Sequence, residues 1–407
     1  MHSSSLPPPA SSLIGGRKRL AIVVSHPIQY YAPLYQRLAL RDDLSIRVFF
    51  TWHGGDRPVQ DRGFAKPFAW DIPLTGGYDF EVVANTSTDP GTHHFFGLRN
   101  PGLVERLLGW NPDVVHITGW AWLSHLQALR TLHRLKVPVL FRGDSHLMNA
   151  ALSGPRWWAK RFLLRRIYSW PTAFLVVGSA NRAYYRAFGV NDERLLACPP
   201  SIDVSRFARP AETWEREAAE WRRGLSISES EKVLLFAGKF EPTKQPLLLM
   251  NAMRNFGSAG MVLVLVGGGE LEAEMSALAA ASPGRFRILP FQNQSRMPAV
   301  YRLGEAFVLP TMGDSWGLAV NEALACGRPV LVSDRAGCAE DVVDGTCGAI
   351  FPWNDGAAII AAFRTMTSER ENLRRLGEGA SERAGKFDIL RTESSTAQAA
   401  LAAAIRR

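Results

Sequence analysis

The chain has 407 residues, more than one compact hydrophobic core usually holds, so two domains of roughly 200 residues each are expected. Hydrophobic residues make up 46% and charged residues 21% of the chain, as in soluble globular proteins, and no apolar run approaches the roughly 20 residues that a membrane-spanning helix needs. The net charge of +9 favours anionic partners, namely nucleotides, phosphates, acidic lipid surfaces or nucleic acid, without choosing among them.

The first 17 residues are rich in Ser and Pro and lack the apolar core of a secretory signal. We expect residues 1–17 to form a disordered tail and the protein to stay in the cytoplasm. The four cysteines show no C-x-x-C or other metal-ligand spacing, so neither a disulfide framework nor a zinc site is expected.

Short apolar runs alternate with helical segments along the rest of the chain, and this rhythm is typical of parallel sheets. The runs are RLAIVVS (19–25), SIRVFF (45–50), DVVHI (113–117), VPVLFR (137–142), AFLVV (173–177), VLLFAG (233–238), MVLVLVGG (261–268), FRILP (286–290), AFVLP (306–310) and PVLVSD (329–334). A charged, helical linker is predicted over residues 206–228. It separates an N-terminal domain, 18–205, from a C-terminal domain, 229–390, and a last helix over 391–407 is expected to pack back on the N-terminal domain.

Two lysines lie on one predicted loop near the start of the second domain. The sequence KFEPTKQP places Lys239 and Lys244 between a predicted strand and a predicted helix. Two cations on one loop would hold a diphosphate, whereas the alternative is that both are solvated surface lysines.

The stretch GDSWGLAVNEALACGRPVLVSD (313–334) carries two carboxylates, Asp314 and Glu322, with seven residues between them. A strand, a polar turn and the helix WGLAVNEALAC, ended by Gly327, are predicted here. The first turn of such a helix leaves backbone N–H groups unpaired and suits a phosphate, which Gly317 would let come close. The spacing alone is weak evidence, because a turn aspartate and an exposed helix glutamate would give the same pattern.

These segments carry a family resemblance. The order of FAGKFEPTKQP, VLVLVGGGELE, ILPFQNQSRMPAVYRLGEAFVLPT and GDSWGLAVNEALACGRPVLVSDRAGCAEDVVDG resembles the nucleotide-sugar-binding half of the retaining glycosyltransferases of family four, the group 1 glycosyltransferases. VVGSANRAYYRAFGVNDERLLACPPSIDVSRF resembles the end of that family's N-terminal domain, so roughly residues 18–390 are covered. The resemblance implies the α/β GT-B fold, in which two Rossmann-like, doubly wound parallel-sheet domains face a central cleft.

The resemblance also implies a role for each matching residue. Lys239 and Lys244 would stabilise the donor diphosphate, Asp314 would hold hydroxyls of the donor sugar, and Glu322 would bind the nucleotide ribose. The other implied donor-binding residues are Gly238, Phe291, Ser315, Trp316, Gly317 and Leu318. The family usually has Glu at position 314 and Arg at position 239, so these two departures bear on donor preference.

The N-terminal half departs further from the family. SHPIQYYAPLYQRL (25–38) replaces the usual Gly-Gly loop and resembles a bacterial branch with an HPIQ loop, as do GFAKPFAWDIPLTGGY, HITGWAW and VPVLFRGDSHL. His26, Trp120, Arg142 and Asp144 then fall at or near carboxyl ends of predicted strands, where ligands bind in open α/β sheets. We expect His26, Arg142 and Asp144 on the acceptor side. The alternatives are a structural pair of Arg142 with Asp144 and a loop-capping His26.

The implied activity is transfer of a sugar, with retention, from a nucleotide-diphosphate sugar to a glycan or lipid-linked acceptor in surface polysaccharide or glycolipid synthesis. The resemblance implies that the leaving phosphate takes the acceptor proton, so no general base is assigned. No cofactor or metal is expected, because no D-x-D motif is present and the lysines supply positive charge. Alternatives are a sugar-nucleotide epimerase of GT-B-like fold, a non-catalytic sugar-nucleotide-binding protein, and a Rossmann dehydrogenase based on VLVLVGGGELE, where Glu272 occupies the third glycine position.

Residues 154–170, GPRWWAKRFLLRRIYSW, interleave aromatic and basic side chains. Their helical wheel is not cleanly amphipathic, so a packed surface helix is one interpretation. The other is a peripheral contact with the inner membrane surface, near a lipid-linked acceptor. Nucleic acid is not an expected partner.

Overall fold

The structure is a computed structural model that describes residues 16–53, 59–60, 67–148, 153–255 and 260–405. The predicted tail at residues 1–17 lies almost wholly outside the described residues, and so do residues 63–66 of GFAKPFAWDIPLTGGY.

The first half of the chain forms a parallel sheet with helices on its faces. In chain order, the strands of this half are β1 (Lys18–Val24), β2 (Leu44–Phe50), β3 (Val59–Gln60), β4 (Pro67–Phe68), β5 (Phe80–Val82), β6 (Val114–Thr118), β7 (Val139–Arg142), β8 (Ala173–Val176) and β9 (Leu195–Ala197). Strands β3 and β4 form a separate two-stranded hairpin, and the other seven strands form the sheet. Its helices are α1 (Ala32–Ala39), α2 (Leu103–Gly109), α3 (Leu123–Arg134), α4 (Pro155–Ile167) and α5 (Ser179–Ala187). The sheet order is β5-β2-β1-β6-β7-β8-β9, with every pair parallel.

The second half repeats this architecture. Two helices, α6 (Val204–Ala208) and α7 (Ala211–Gly224), lead into strands β10 (Lys232–Lys239), β11 (Met261–Gly268), β12 (Phe286–Pro290), β13 (Ala306–Leu309), β14 (Val330–Ser333) and β15 (Gly348–Phe351). The remaining helices are α8 (Pro246–Asn255), α9 (Glu272–Ala280), α10 (Met297–Arg302), α11 (Leu318–Ala325), α12 (Ala339–Val342), α13 (Gly356–Thr367), α14 (Arg370–Gly385) and α15 (Ile389–Ile405). The order β12-β11-β10-β13-β14-β15 is again wholly parallel.

Each sheet is buried on both faces, which explains why its strands are continuous apolar runs. Successive side chains of a strand point to opposite faces. Val233 and Leu235 of β10 accordingly enter one apolar cluster, whereas Leu234 and Phe236 enter the cluster on the other face. All ten predicted runs are strands of these two sheets, and the prediction of two parallel-sheet domains is confirmed.

The chain ends on a helix that returns to the first half. Ala397 and Ala400 of α15 lie in the same apolar cluster as Leu20 and Ile22 of β1. Small side chains let α15 approach closely, and Thr392 adds a hydrogen bond from its hydroxyl to the Pro199 carbonyl at 2.7 Å. The last helix thus joins the two halves. The domain limits given from the sequence stay a prediction.

Candidate active site

A cleft of about 980 Å³ lies between the two halves and is lined by residues of both. The carboxyl ends of parallel strands meet at one edge of a sheet, and in each half that edge contributes to the cleft. The residues singled out as site residues from the sequence all line it: His26, Arg142, Asp144, Gly238, Lys239, Lys244, Phe291, Asp314, Ser315, Trp316, Gly317, Leu318 and Glu322. Trp120 does not, because its indole N–H donates to the Tyr168 hydroxyl at 3.3 Å within the packing of the first half.

A close ion pair of the cleft joins two residues that lie 70 positions apart. Lys244 ends a short 3-10 turn, Pro242–Lys244, and its Nζ lies 2.5 Å from Oδ2 of Asp314 in the loop after β13. Both side chains are largely buried. The two loops are also tied through the Thr243 carbonyl, which accepts the Met312 N–H at 2.8 Å. The family resemblance implied that Lys244 and Asp314 contact different parts of the donor, and no sequence pattern indicated that they pair.

The second carboxylate oxygen of Asp314 has a local role. Oδ1 accepts the Trp316 backbone N–H at 3.1 Å, so Asp314 also closes the turn before α11. Gly317 follows with a φ of 93°, and a Cβ there would lie 2.7 Å from the Leu309 side chain. Any residue other than glycine would be strained and crowded at this position. Helix α11 therefore begins at Leu318, two residues later than predicted.

Lys239, the other lysine of the cleft, lies where the neighbouring strands β10 and β11 come very close. Lys239 is the last residue of β10, and β10 pairs with β11 up to Gly268. A Cβ on Gly267 would stand only 1.9 Å from the Gly238 carbonyl oxygen, so the close approach of the strands requires glycine there. The first glycine of GGGELE thus has a packing role between β10 and β11.

Glu322 is a buried carboxylate in the wall of the cleft, with 2% of its surface exposed. Its Oε2 accepts the Tyr301 hydroxyl at 2.6 Å, whereas its Oε1 has no hydrogen-bond partner. Burial raises the pKa of Glu322 to about 7, although the Tyr301 hydrogen bond and the charge of Arg206 act in the opposite direction. Buried polar atoms are normally paired, so Oε1 is suited to a hydroxyl group of a bound molecule. No sequence pattern had pointed to Tyr301.

The raised pKa predicts how nucleotide binding depends on pH. If the ionised Glu322 accepts ribose hydroxyls, affinity for nucleoside diphosphate should rise as the pH passes through about 7. The Glu322→Gln variant should lose this dependence and bind nucleoside diphosphate and intact donor alike roughly 10-fold less tightly at pH 8. Calorimetric titrations at pH 6 and 8 measure both effects, with the exposed Glu382→Gln as control. Weaker binding of the intact donor alone would contradict the ribose assignment.

The raised pKa of Glu322 also determines how the stability of the folded protein depends on pH. The pKa of Glu322 is raised above 4.5, so its contribution to stability is present below about pH 4.5 and is lost as the pH rises through about 7. We expect Glu322→Gln to melt at a higher temperature than the unchanged protein at pH 8, and the difference to vanish near pH 4.5. Thermal unfolding followed by circular dichroism at the two pH values checks this.

On the opposite wall, His26, Arg142 and Asp144 surround the ends of β1 and β7. His26 Nδ1 lies 2.9 Å from the Ser25 hydroxyl, and burial lowers the pKa of His26 to about 4, so the ring is neutral near pH 7. Arg142 is buried, donates to the Cys198 carbonyl at 3.1 Å and places its Nε 3.8 Å from Asp144 Oδ1. Arg142 and Asp144 thus form the ion pair that was the structural alternative, yet Nε and Oδ1 are buried without a hydrogen-bond partner. Both residues line the cleft.

Hydrogen bonds between the two halves hold them together, and no sequence pattern indicated these contacts. The Asn293 side chain donates to the Ala69 carbonyl at 2.7 Å, and the Ser295 N–H donates to Asp71 at 3.1 Å. At a second point the Ser179 N–H donates to Asp341 Oδ2 at 2.8 Å. These pairs lie more than 160 positions apart in the chain, beyond the reach of any local pattern.

Family models match both halves of the chain. The model described as "Glycosyl transferase 4-like domain" matches residues 76–201, and the model described as "Glycosyl transferases group 1" matches residues 217–383. The D-inositol 3-phosphate glycosyltransferase of Geodermatophilus obscurus is 33% identical over 230 residues, which cover 53% of this chain and 49% of the relative. That of Nocardia farcinica is 28% identical over 298 residues, 69% of this chain and 64% of the relative. The chain thus matches about half to two thirds of the length of these relatives.

Solved structures resemble the chain over nearly its whole length. HepE of Anabaena in complex with UDP and glucose has a TM-score of 0.69 at 14% identity, covering 94% of this chain and 99% of that one. Sucrose-phosphate synthase of Thermosynechococcus elongatus has a TM-score of 0.71 at 19% identity, covering 94% and 98%. These likenesses show the GT-B fold. The chain belongs to the group 1 glycosyl transferases.

Proposed function

We propose that the protein is a retaining glycosyltransferase that moves a sugar from a nucleoside diphosphate sugar to a glycan or lipid-linked acceptor. The observation that carries the proposal is the convergence, in one cleft, of two lysines, the amino end of α11, a buried carboxylate and a second carboxylate beside one lysine. These groups together can bind the ribose, the diphosphate and the sugar of a nucleoside diphosphate sugar. The printed descriptions of the relatives, D-inositol 3-phosphate glycosyltransferases, agree with it.

The donor would lie along the second half of the chain. Oε1 of Glu322, which has no hydrogen-bond partner, would accept a hydroxyl of the ribose. The diphosphate would lie against the amino end of α11, where backbone N–H groups are unpaired by the helix itself, with Lys239 and Lys244 beside it. Asp314 would then face the sugar. In this arrangement the diphosphate draws Lys244 away from Asp314, so the carboxylate becomes available as the lysine finds a new anionic partner.

The reaction needs a stabilised leaving group and a placed acceptor. An acceptor hydroxyl attacks the anomeric carbon from the face that the diphosphate leaves, the bond from that carbon to the phosphate oxygen breaks, and the departing phosphate takes the hydroxyl proton. The anomeric configuration is therefore retained. Positive charge from the lysines and the helix N–H groups stabilises the negative charge that grows on the phosphate. His26, neutral near pH 7, would line the acceptor side together with Arg142 and Asp144.

Two measurements test the proposal. A thermal-shift screen against a panel of nucleotide sugars identifies the donor, and incubation of that donor with candidate acceptors should release nucleoside diphosphate and give a product whose anomeric configuration, read by nuclear magnetic resonance, matches the donor. Inversion would refute the retaining mechanism. An isomerised sugar formed without acceptor would identify an epimerase, and tight binding without release of nucleoside diphosphate for any acceptor would identify a binding protein.

We further propose that α4 brings the protein to the cytoplasmic face of the membrane. Trp158, Phe162 and Leu163 are 63%, 80% and 53% exposed, although Trp157 and Leu164 on the inner face of the same helix are buried. Exposed Lys160, Arg165 and Arg166 flank the apolar side chains. Aromatic and aliphatic residues between cations suit the interface of an anionic bilayer. In the described ranges, no helix has the length and apolar character to span a bilayer.

The membrane proposal predicts the behaviour of a triple variant. Trp158→Ala, Phe162→Ala and Leu163→Ala together should reduce binding to vesicles of phosphatidylglycerol and phosphatidylcholine by about 10-fold or more, because buried apolar area is lost. Co-sedimentation with vesicles measures the bound fraction. Leu40 and Leu135 are also exposed apolar residues, so the double variant Leu40→Ala, Leu135→Ala is the matched control and should bind as the unchanged protein does. Equal binding by the triple variant would refute the proposal.

A further inference from the structure

A cluster of two histidines and one aspartate lies at the rim of the cleft and has no part in the proposed reaction. Asp89, His93 and His94 lie in the segment between β5 and α2, and Asp89 and His93 line the cleft on the side of the first half. Within the described residues, this is the group of three whose metal-ligating atoms all fall within 4.8 Å of one another. The set of two imidazoles and one carboxylate is one that zinc accepts.

The distances within the cluster suit a tetrahedral ion. Oδ2 of Asp89 lies 3.0 Å from Nε2 of His93 and 3.3 Å from Nε2 of His94. Bonds of about 2.0 to 2.2 Å to a tetrahedral zinc ion would place neighbouring ligand atoms about 3.3 to 3.5 Å apart. These two separations are therefore within a few tenths of an ångström of those that a tetrahedral ion needs, and the ligand nitrogens of the two histidines lie within 4.8 Å of each other. Nε2 of His94 also lies 3.0 Å from the Asp89 carbonyl oxygen. Each neutral imidazole would bind the ion through an unprotonated Nε2 and carry its proton on Nδ1.

The loop that carries the cluster is held in place by the rest of the first half. The Gly91 N–H donates to the Gly97 carbonyl at 3.2 Å, and a Cβ on Gly97 would stand 2.1 Å from the Gly91 oxygen. The Trp122 indole N–H donates to the Thr92 carbonyl at 3.2 Å. The contacts at Gly91 and Thr92 thus hold the backbone between Asp89 and the two histidines in place. The ligand positions are set before any ion arrives, which lowers the cost of binding.

We propose that Asp89, His93 and His94 bind a divalent transition-metal ion of the zinc type at the acceptor-side rim of the cleft. Three protein ligands leave a four-coordinate ion one position for water or for a polar group of a molecule that enters the cleft. None of the three ligands is a residue that the proposed reaction uses, so the proposal does not depend on the reaction. Magnesium should not compete, because it prefers oxygen ligands in octahedral geometry.

The test uses the whole chain without an affinity tag of histidines. Calorimetric titration with Zn²⁺ should give one ion per chain, unchanged by an excess of Mg²⁺, and Co²⁺ bound in its place should show the visible absorption of tetrahedral coordination. Affinity should fall at least about 10-fold in His93→Ala, His94→Ala and Asp89→Asn. His133→Ala, which removes an exposed histidine from the end of α3, is the control and should bind Zn²⁺ normally.

The three cluster residues lie at the surface, so each of the three variants should keep the fold. Circular dichroism of each variant checks this. Failure of the unchanged protein to bind one Zn²⁺ ion would overturn the proposal. So would equal affinity in the His93→Ala, His94→Ala double variant, which would place the ion elsewhere. Absence of sugar transfer would refute the proposed function and leave the metal site standing.

Discussion

Replacement of Lys244 with alanine should lower the rate of sugar transfer by about 10- to 150-fold, equivalent to about 1.5 to 3 kcal/mol of transition-state stabilisation. Two effects act in the same direction. The leaving diphosphate loses a charge-assisted contact, and Asp314, whose Oδ2 lies 2.5 Å from Nζ of Lys244, loses the cation that neutralises it. The uncompensated carboxylate then repels the diphosphate that the site has to hold.

The measurement is kcat/KM for the donor identified by the thermal-shift screen, together with the affinity for nucleoside diphosphate. Lys386→Ala is the matched control, because Lys386 is an exposed lysine of the second half that lies outside the cleft and makes only a long ion pair of 4.0 Å with Glu382. We expect the control to transfer sugar at the normal rate. Unchanged turnover in Lys244→Ala would exclude the lysine from the reaction.

Much of the fold could be predicted from the sequence, because strands buried on both faces are continuous apolar runs. Within the two parallel sheets, the strands that were not predicted are β5, β9 and β15, each of three or four residues and each at an edge of its sheet. An edge strand has a neighbour on one side only and needs a shorter apolar stretch. In β5, Phe80 is exposed, so the strand has no run of buried side chains to signal it. Its place is fixed by pairing with β2, which no local pattern encodes.

Some features of the site could likewise be predicted from the sequence, whereas others could not. Lys239 and Arg142 end predicted parallel strands, whose carboxyl ends meet at one edge of each sheet, so their place at the cleft could be predicted. Side-chain partners could not, because they depend on loops from distant parts of the chain. The Tyr301 hydroxyl on Glu322 is one such contact. Trp120 shows the opposite case, since it follows a strand yet is held by Tyr168 away from the cleft.

The pairing of Lys244 with Asp314 changes what can be expected of Asp314→Asn. The amide keeps an oxygen that can accept the Trp316 N–H, which Asp314 Oδ1 accepts at 3.1 Å, so the turn before α11 should persist. The variant loses the ion pair and the charge-assisted hydrogen bonds proposed to the donor sugar. We expect transfer to fall by about 10- to 150-fold. Affinity for free nucleoside diphosphate should not fall, because Lys244 is no longer held by a carboxylate.

A purely turn-closing role for Asp314 predicts the converse. Because the amide oxygen of Asn can still accept the Trp316 N–H, the turn would be kept and turnover per folded molecule would stay normal. The melting temperature, the diphosphate affinity and the initial rate of transfer, measured on one preparation, separate the two cases.

The double variant Lys244→Ala, Asp314→Asn then tells how Asp314 acts. If the carboxylate only positions Lys244, the double variant should be no slower than Lys244→Ala, because the group that Asp314 would position is gone. If Asp314 contacts the sugar itself, the double variant should be slower than Lys244→Ala, because the lost contact with the sugar should outweigh the relief from the charge that Asp314 leaves uncompensated in Lys244→Ala. We expect the second result. A double variant as fast as Lys244→Ala would end the assignment of Asp314 to the sugar and leave it as a partner of the lysine.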